Sequence, residues 1–180
     1  MDAFDLIVIG CGPAGEKAAV KAAYFGKKVA IIEMQSKPGG AAVHTGTLPS
    51  KTLRETALYL SGKYEKGLYN IERKLEENAS VDNFLYRKNQ VASTESREIK
   101  NNILLHKVSY YQGQGHFEDP NTLSIRSPEG SEKTIHAKNI IIATGSSPFH
   151  PPTIPFDGKR IHDSDTILDI ASFPKTLCVV

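Results

Sequence analysis

The sequence has little cysteine, little net charge and no long hydrophobic run, and each shortage excludes a class of protein. Only two of its 180 residues are cysteines, Cys11 and Cys178, so neither a disulfide framework nor a cysteine zinc site can be assembled. No apolar run approaches the roughly 20 residues that span a bilayer, and no signal-peptide pattern precedes the first apolar segment. These features predict a reduced, cytoplasmic protein without a membrane partner.

The formal net charge is +2, because 22 lysines and arginines oppose 20 aspartates and glutamates. A surface without a dominant charge argues against nucleic acid as a partner. No metal site is predicted, because the cysteines lack ligand spacing and so do four histidines, His106, His136, His150 and His162. The 39% of hydrophobic residues is enough for a globular core.

Strand and helix patterns alternate at the start of the chain. Residues 5–9 form a short apolar run rich in β-branched side chains, which is typical of a buried parallel strand. An alanine-rich helix is predicted over residues 16–25 and ends at Gly26. Residues 28–32 predict a second buried strand, which Glu33 closes. This order describes one βαβ unit.

Loop and helix signals follow. Residues 34–47 hold three glycines and a proline and predict a loop. A helix is predicted from Pro49 to about residue 66, with Thr47 as its N-cap. A second long helix is predicted over residues 81–102, with Ser80 as its cap.

From residue 108 onward, short β-rich runs are separated by turn residues. Residues 139–143 predict a buried strand, residues 148–155 an extended proline-rich connector, and residues 164–171 a short helix. Four other runs predict a small antiparallel meander: residues 108–112, 116–117, 122–126 and 133–137. The whole pattern predicts an α/β protein with a Rossmann-like three-layer fold, in which a parallel sheet carries a small antiparallel β-meander.

A glycine-rich loop, Gly10-x-Gly12-x-x-Gly15, joins the first strand to the first helix. Gly10 permits a tight turn, Gly12 lets the backbone approach a diphosphate, and Gly15 lets the helix pack closely on the strand. Pro13 and Ala14 lie at the helix N-terminus, whose N–H groups and dipole favour phosphate. The loop therefore predicts a binding site for an adenine dinucleotide.

The acidic residue after the second strand adds a sugar contact. Glu33 stands at the distance from the glycine loop at which a ribose-binding carboxylate is expected, and Met34 follows it. A carboxylate there accepts hydrogen bonds from the adenosine ribose and repels a 2′-phosphate, so NADP is disfavoured at this first site. The βαβ unit alone does not decide between FAD and NAD.

The residues from Gly39 to Lys51, GGAAVHTGTLPSK, resemble the segment that follows the second strand in the pyridine nucleotide–disulfide oxidoreductase family. Gly113-x-Gly115-x-Phe117 and Ala143-Thr144-Gly145-Ser146 resemble two further FAD-contacting segments of that family, in the same order. The resemblance covers essentially the whole chain and implies an FAD-binding domain. Beyond the glycine loop, Glu33 and Met34, it implies FAD contacts at Gly40, Ala41, Gly46, Thr47, Lys51, Gly115, His116, Ala143, Thr144, Gly145 and Ser146.

In that family the first segment wraps the flavin and its lysine lies near the reactive ring nitrogen, which implies a flavin-tuning role for Lys51. A cation there stabilises the anion formed on reduction. The alternative is a solvated lysine in the first helical turn, a position that the helix dipole disfavours. His44 lies in the same segment and is a candidate for proton transfer, with packing beside the cofactor as the favoured alternative.

Disulfide reductases of the family carry two cysteines in this segment, where the corresponding residues here are Ala42 and Thr47. No dithiol relay is therefore expected, and Cys11 is interpreted as a small buried filler. Among related proteins, which include the dihydrolipoamide dehydrogenases, the segment is similar to that of the soluble, FAD-containing pyridine nucleotide transhydrogenases. Residues 161–168, IHDSDTIL, resemble that branch as well. The branch commonly keeps the first cysteine, which Ala42 replaces.

The resemblance also divides the chain into parts. Residues 1–149 correspond to the N-terminal part of the FAD-binding domain and residues 150–174 to a connector. Residues 175–180 correspond to the first strand of a truncated NAD(P)-binding domain. We therefore expect a longer protein, a homodimer that takes nicotinamide nucleotides as substrates.

Three functions stay open at this point. The leading one is hydride transfer from NADPH to NAD⁺ through FAD in the full-length protein. The second is an NAD(P)H oxidase or diaphorase on the same scaffold. The third is a non-catalytic nucleotide-binding module with FAD weakly held or absent. For the isolated 180-residue chain this third function is favoured, and we expect no turnover.

Overall fold

The computed structural model describes residues 2–61 and 80–180. Its elements follow the chain in the order β1 (Asp2–Ile9), α1 (Pro13–Tyr24), β2 (Val29–Glu33), α2 (Gly40–His44), α3 (Thr47–Leu60), α4 (Val81–Leu105), β3 (Ser109–Gln112), β4 (Gln114–Asp119), β5 (Thr122–Arg126) and β6 (Glu132–Ile142), and a short 3₁₀ helix at Thr166–Asp169. The chain forms two compact units. The first comprises Met1–Val43 and Thr94–Ser146, and the second comprises His44–Ser93 and Ser147–Val180.

The strands form one sheet in the order β3-β2-β1-β6-β5-β4. The first four run parallel, with Ile7 of β1 opposite Ala30 on one side and Ile140 on the other. β5 and β4 continue the sheet as antiparallel strands beyond β6. Parallel neighbours need crossover connections, which α1 provides between β1 and β2 and α4 between β2 and β3.

Side chains alternate between the two faces of the parallel strands and build two cores. One core packs the strands against the helices and contains Val8, Cys11, Ala19, Val29, Ile31, Ile103 and Val108. The other packs them against the antiparallel strands and contains Phe4, Ile7, Ala30, Ile32, Leu123, Ile125, Ile135 and Ala137. Each fully buried Ile or Leu contributes about 1.5–3 kcal/mol, so this packing holds the strand ends in place. The antiparallel strands continue the sheet and also pack over its parallel strands, so they form the third layer that the sequence predicted, beside the helices and the parallel sheet.

One strand pairs differently from the prediction. Residues 108–112 were expected in the antiparallel meander, but β3 pairs parallel to β2, with Tyr110 opposite Ile31. The prediction was wrong because it followed the β-rich composition and ignored the long helix that precedes this strand. A helical crossover returns the chain in the direction of the earlier strand, so the new strand is parallel.

The predicted strands over residues 133–137 and 139–143 are in fact one strand, β6. Lys138 and Asn139 do not interrupt it, because their side chains bind β1. The Lys138 ammonium lies 2.9 Å from the Asp5 carboxylate, and the Asn139 amide donates to the Asp5 carbonyl at 3.2 Å. β6 pairs with β5 from Glu132 to His136 and with β1 from Ile135 to Ile142.

The helix boundaries near the site also differ in part from prediction. α1 begins earlier than expected, at Pro13, and Gly26 follows its end with a φ of 75°. α4 extends to Leu105 and has the predicted cap at Ser80. The Ser80 hydroxyl accepts from the Asn83 N–H, and the Asn83 side chain accepts from the Ser80 N–H, both at 3.2 Å.

The loop predicted over residues 34–47 contains a short helix, α2. The start of the helix that follows this loop was also misplaced. α3 begins at Thr47, and its N-cap is Gly46, so the prediction of Thr47 as N-cap was wrong. Gly46 has φ −117° and ψ −111°, a conformation that glycine adopts more easily than threonine. The predicted end of this helix, near residue 66, lies outside the described residues.

In the second unit, the first half of α4 holds the segment that follows the connector. Lys88 is buried and donates to the Leu168 carbonyl at 2.8 Å and to the Asp169 carboxylate at 2.6 Å. The rings of Phe84 and Phe173 meet edge to face at 5.6 Å. These contacts fasten the short 3₁₀ helix, which is shorter than the helix predicted over residues 164–171.

The strand predicted over residues 176–180 is not formed. These residues have no regular secondary structure, and Leu177 and Val179 are exposed. An apolar strand needs a neighbouring strand to pair its N–H and C=O groups, and no such neighbour lies beside it within the described ranges. The assignment of residues 175–180 to a second domain stays a prediction.

Candidate dinucleotide-binding site

The glycine loop lies at the carboxyl edge of the parallel strands. β1 ends at Ile9, β2 at Glu33 and β6 at Ile142, and all three ends lie at this edge because the strands are parallel. The chain passes from β1 to β2 on one side, while β6 pairs with β1 on the other. In open α/β sheets, such a reversal of strand order leaves a crevice that ligands occupy.

The fold of the loop itself requires Gly10 and Gly15. Gly10 has a φ of 101°, and a Cβ there would lie 2.3 Å from the carbonyl oxygen of Ala143. A Cβ on Gly15 would lie 1.9 Å from the carbonyl oxygen of Gly10. Neither position can carry a side chain unless the backbone moves. These two glycines therefore shape the turn and bring α1 close to β1.

Gly12 differs, because the protein leaves room for a side chain there. Its φ of −77° and ψ of −175° suit any residue, and the nearest atom to an added Cβ would be Gly40 Cα at 3.7 Å. Packing within the protein thus does not explain a glycine at this position. Its missing side chain opens space at the N-terminus of α1, beside the exposed Pro13 and Ala14. The diphosphate predicted from the glycine loop would lie in that space.

The first turn of α1 supplies donors to this space. The hydrogen bond from the Glu16 N–H to the Gly12 carbonyl, at 2.9 Å, is the first of the helix. The N–H groups of Ala14 and Gly15 therefore have no partner within the helix, and Pro13 has no N–H to offer. With the positive end of the helix dipole, these groups favour an anion.

Glu33 is buried against the loop and uses both carboxylate oxygens. One accepts from the Cys11 N–H at 2.7 Å, and the other accepts from the Gln35 N–H at 2.8 Å. The position of Glu33 in the sequence predicts a ribose contact but not this hydrogen bond to the glycine loop. Each oxygen can accept a second hydrogen bond, so ribose hydroxyls can still bind. The ribose role of Glu33 stays a prediction.

Cys11 is fully buried in the core on the helix side of the sheet. Burial, with smaller contributions from the charges of Glu33 and Glu16, raises the pKa of its thiol to about 12. Such a thiol stays protonated at neutral pH and is neither a nucleophile nor a redox relay. This environment agrees with the interpretation of Cys11 as a small filler.

The segment after β2 forms a second side of the crevice. The Gly39 N–H donates to the Cys11 carbonyl at 2.8 Å. Gly40 has a φ of 56°, and a Cβ there would lie 2.9 Å from Gly12 Cα. Gly40 therefore lies beside the glycine loop, and Ala41 follows it in α2.

The end of β6 forms a third side. The Ala143 N–H donates to the Ile9 carbonyl at 2.8 Å, and its own carbonyl lies against Gly10. Thr144, Gly145 and Ser146 follow, and all three are exposed. The structure thus brings the predicted segment of residues 143–146 next to the glycine loop.

Three further predicted residues lie in the first unit. Met34 follows Glu33 directly and is mostly exposed. Gly115 of β4 lies over β2, since a Cβ there would be 3.3 Å from Ile32 Cδ1. His116 pairs with Ser124 of β5 and is exposed. These three contacts with a cofactor stay predictions.

The other predicted residues belong to the second unit. Gly46 caps α3 and Thr47 opens it, so Lys51 is its fifth residue and is exposed. The expectation that Lys51 lies in the first turn was wrong. The helix dipole therefore does not disfavour a solvated lysine at this position, because its effect is confined to the first turn. His44 ends α2 and is partly buried. Flavin tuning by Lys51 and proton transfer by His44 stay predictions.

Two long-range contacts near the loop were not predicted from the sequence. The Ser96 hydroxyl donates to the Pro38 carbonyl at 2.7 Å, and the Asn102 side chain binds the buried carboxylate of Glu16. These partners lie 58 and 86 residues apart in the chain, so no motif spacing marks them.

Two kinds of structure are absent from residues 2–61 and 80–180. No helix there is both long and apolar enough to cross a membrane. No group of three His, Cys, Asp or Glu side chains lies close enough to hold a metal ion.

Known proteins resemble this chain over its whole length. Residues 4–180 match the family described as pyridine nucleotide-disulphide oxidoreductase. The soluble pyridine nucleotide transhydrogenase of Mycobacterium tuberculosis (strain ATCC 25177 / H37Ra) is 40% identical over 100% of this chain and 39% of its own length. The soluble pyridine nucleotide transhydrogenase of Colwellia psychrerythraea (strain 34H / ATCC BAA-681) is 38% identical over 98% of this chain and 38% of its own length.

A solved structure shows the same likeness. The Cu(II) complex of the HOCl-induced flavoprotein disulfide reductase RclA from Escherichia coli has a TM-score of 0.77 and 26% sequence identity with this chain. The match covers 96% of this chain and 35% of that one. The chain therefore spans less than half the length of the proteins it resembles.

Proposed function

Because the chain belongs to the pyridine nucleotide-disulphide oxidoreductase family, we propose that it is the N-terminal, FAD-binding part of a flavoprotein oxidoreductase. The observation that carries the proposal is the open space at Gly12, which the packing of the protein does not require. This space lies at the N-terminus of α1, with Glu33 held beside it by the Cys11 N–H. Phosphate and ribose groups of an adenine dinucleotide fit these two positions.

Each side of the crevice has its own task in this proposal. The N–H groups of Ala14 and Gly15 bind the diphosphate, and Gly12 keeps the approach open. Glu33 accepts hydrogen bonds from the ribose and, by its charge, disfavours a 2′-phosphate. The segments after β2 and β6 line the remaining sides.

In the full-length protein we place this site in hydride transfer from NADPH to NAD⁺, which yields NADP⁺ and NADH. FAD, when bound at this site, would supply the chemistry of hydride transfer between the two nicotinamides. The similarity to soluble pyridine nucleotide transhydrogenases supports this assignment. Ala42 and Thr47 cannot form a redox-active disulfide, and Cys11 is buried and protonated.

Lys51 contributes a cation from α3, and we assign it to tuning of the flavin. We also propose that residues 1–149 are the FAD-binding part and residues 150–174 a connector. Residues 175–180 would then begin the nicotinamide-binding domain. Under this division the 180-residue chain binds nucleotide but does not oxidise NADPH.

The first test is binding of FAD by the 180-residue chain. Flavin fluorescence anisotropy should show saturable binding that ADP reverses, and saturating FAD should raise the melting temperature. If saturating FAD changes neither signal, the chain lacks the proposed site.

The second test addresses the reaction of the full-length protein. FAD-loaded protein should reduce the thio analogue of NAD⁺ with NADPH as donor, under nitrogen, at a rate far above that of oxygen uptake in air. Oxygen uptake that matches the oxidation of the nicotinamide would instead show an oxidase. The two measurements need only spectrophotometry and an oxygen electrode.

A further inference from the structure

Helix α4 contacts the diphosphate end of the proposed site at a buried serine. Ser96 is 5% exposed, and its hydroxyl donates to the Pro38 carbonyl at 2.7 Å. A serine within a helix usually bonds its own backbone or faces solvent. This one instead bonds a loop that begins near the end of β2.

The loop that Ser96 holds is the wall opposite the N-terminus of α1. Pro38 is followed by Gly39, whose N–H donates to the Cys11 carbonyl at 2.8 Å. Gly40 comes next and is so close to Gly12 that a Cβ would lie 2.9 Å from its Cα. The hydroxyl, the wall and the glycine loop therefore form one continuous series of contacts.

We propose that Ser96 is a positioning residue for diphosphate binding. Its hydrogen bond sets the distance between the Pro38–Gly40 wall and Gly12, and thereby the width of the space that receives the phosphates. This inference rests on the proposed function. Ser96 acts through the Pro38 carbonyl, to which its hydroxyl donates.

The position of the wall predicts which ligands are affected. Gly40 lies at the N-terminus of α1, where the diphosphate binds, whereas the ribose is assigned to Glu33. Loss of the Ser96 hydroxyl should therefore weaken ligands that carry a diphosphate and leave adenosine unaffected. A general loss of stability would weaken the binding of adenosine and of the diphosphate ligands alike.

The test compares Ser96→Ala with Ser93→Ala, which removes an exposed hydroxyl from the same helix. In the 180-residue chain, Ser96→Ala should weaken FAD and ADP roughly three- to tenfold, the range expected for one hydrogen bond. Adenosine, measured by competition at millimolar concentration, should change less than twofold. Ser93→Ala should alter none of the three. Equal losses for ADP and adenosine, or no loss for either, would overturn the proposal.

A second measurement needs no ligand. Amide hydrogen exchange at Gly39 reports the hydrogen bond that ties the wall to Cys11. Ser96→Ala should accelerate this exchange at least threefold, and Ser93→Ala should not change it. Unchanged exchange at Gly39 would also overturn the proposal.

The two measurements separate this inference from the proposed function. If the unsubstituted chain binds neither FAD nor ADP, the proposed function fails, whereas the Gly39 exchange still tests whether Ser96 holds the wall. If Ser96→Ala does not fold, Ser96→Cys is the second variant, because it keeps the shape of the side chain but its thiol is a weak donor. The same changes in affinity and exchange should then appear with smaller magnitude. Wild-type binding and exchange in that variant would count against Ser96.

Discussion

The two compact units hold their predicted site residues in different ways. In the first unit, contacts with the backbone fix three positions of the site: Gly10 against Ala143, Gly15 against Gly10, and the Glu33 side chain against the Cys11 N–H. In the second unit, Lys51 is an exposed side chain on a helix surface. The predicted binding role of the first unit is therefore supported by its own geometry, whereas the predicted role of Lys51 rests on family resemblance.

The largest expected effect is the loss of stability on replacing Gly15, because the backbone of the first unit leaves no room for a side chain there. A Cβ in Gly15→Ala would lie 1.9 Å from the Gly10 carbonyl oxygen. The free energy of unfolding, measured by urea denaturation, should fall by about 3 kcal/mol or more. Gly26→Ala is the control, because Gly26 has a φ of 75° but open space around it, and should cost only about 1–2 kcal/mol. Similar losses in both variants would contradict the packing argument.

The next largest effect is expected in the second unit, at its buried lysine. Lys88→Met keeps a long apolar stem but removes the hydrogen bonds to Leu168 and Asp169. The free energy of unfolding should fall by about 1–3 kcal/mol. Asp169→Asn should cost less than about 1 kcal/mol, because the Asp169 side chain is 78% exposed. A neutral Lys88→Met would mean that this unit is not held by α4.

Gly12 should differ from Gly15, because its replacement is expected to affect ligand binding rather than stability. Gly12→Ala should leave the free energy of unfolding within about 0.5 kcal/mol, because an added Cβ finds its nearest neighbour at 3.7 Å. Affinity for ADP, measured by calorimetry, should drop at least about tenfold, or 1.4 kcal/mol, because the methyl group occupies the phosphate space. Undiminished ADP affinity would show that the diphosphate does not bind there.

The smallest effect expected is the pH dependence that Asp163 of the second unit contributes. Hydrogen bonds from the backbone and hydroxyl of Thr166, and then from His150, hold the pKa of the Asp163 carboxyl below its usual range. A carboxyl with a lower pKa in the folded state stabilises the fold above its unfolded pKa. That contribution disappears as the pH falls from about 4 toward the folded value. Melting temperatures should therefore fall more steeply below pH 4 in the wild type than in Asp163→Asn. Parallel pH profiles would refute the assignment.

Local signals were sufficient for the glycine loop. The turn, the helix start and the acidic residue after β2 lie within about two dozen residues, and each has a backbone or electrostatic reason that a sequence displays. The structure places Gly10, Gly12, Gly15 and Glu33 together at one edge of the sheet, as that spacing predicts.

The failures came from long-range pairing and from caps. β3 was misassigned because strand composition does not say which neighbour a strand pairs with. β6 was divided at Lys138, because a charged residue between two strand-like runs resembles a break. Ser96 and Asn102 were missed, because a helical polar residue shows no sign of a partner far away in the chain. Such contacts follow from packing, which the sequence pattern alone does not reveal.

The most direct test of the central claim is an amide NMR titration of the 180-residue chain with ADP. We predict saturable shifts centred on the N–H groups of Gly12, Ala14 and Gly15, with a second set at Gln35 beside the Glu33 carboxylate. FAD should displace ADP from the same residues. Shifts that avoid this loop, or none at saturating ADP, would contradict a dinucleotide site at the N-terminus of α1.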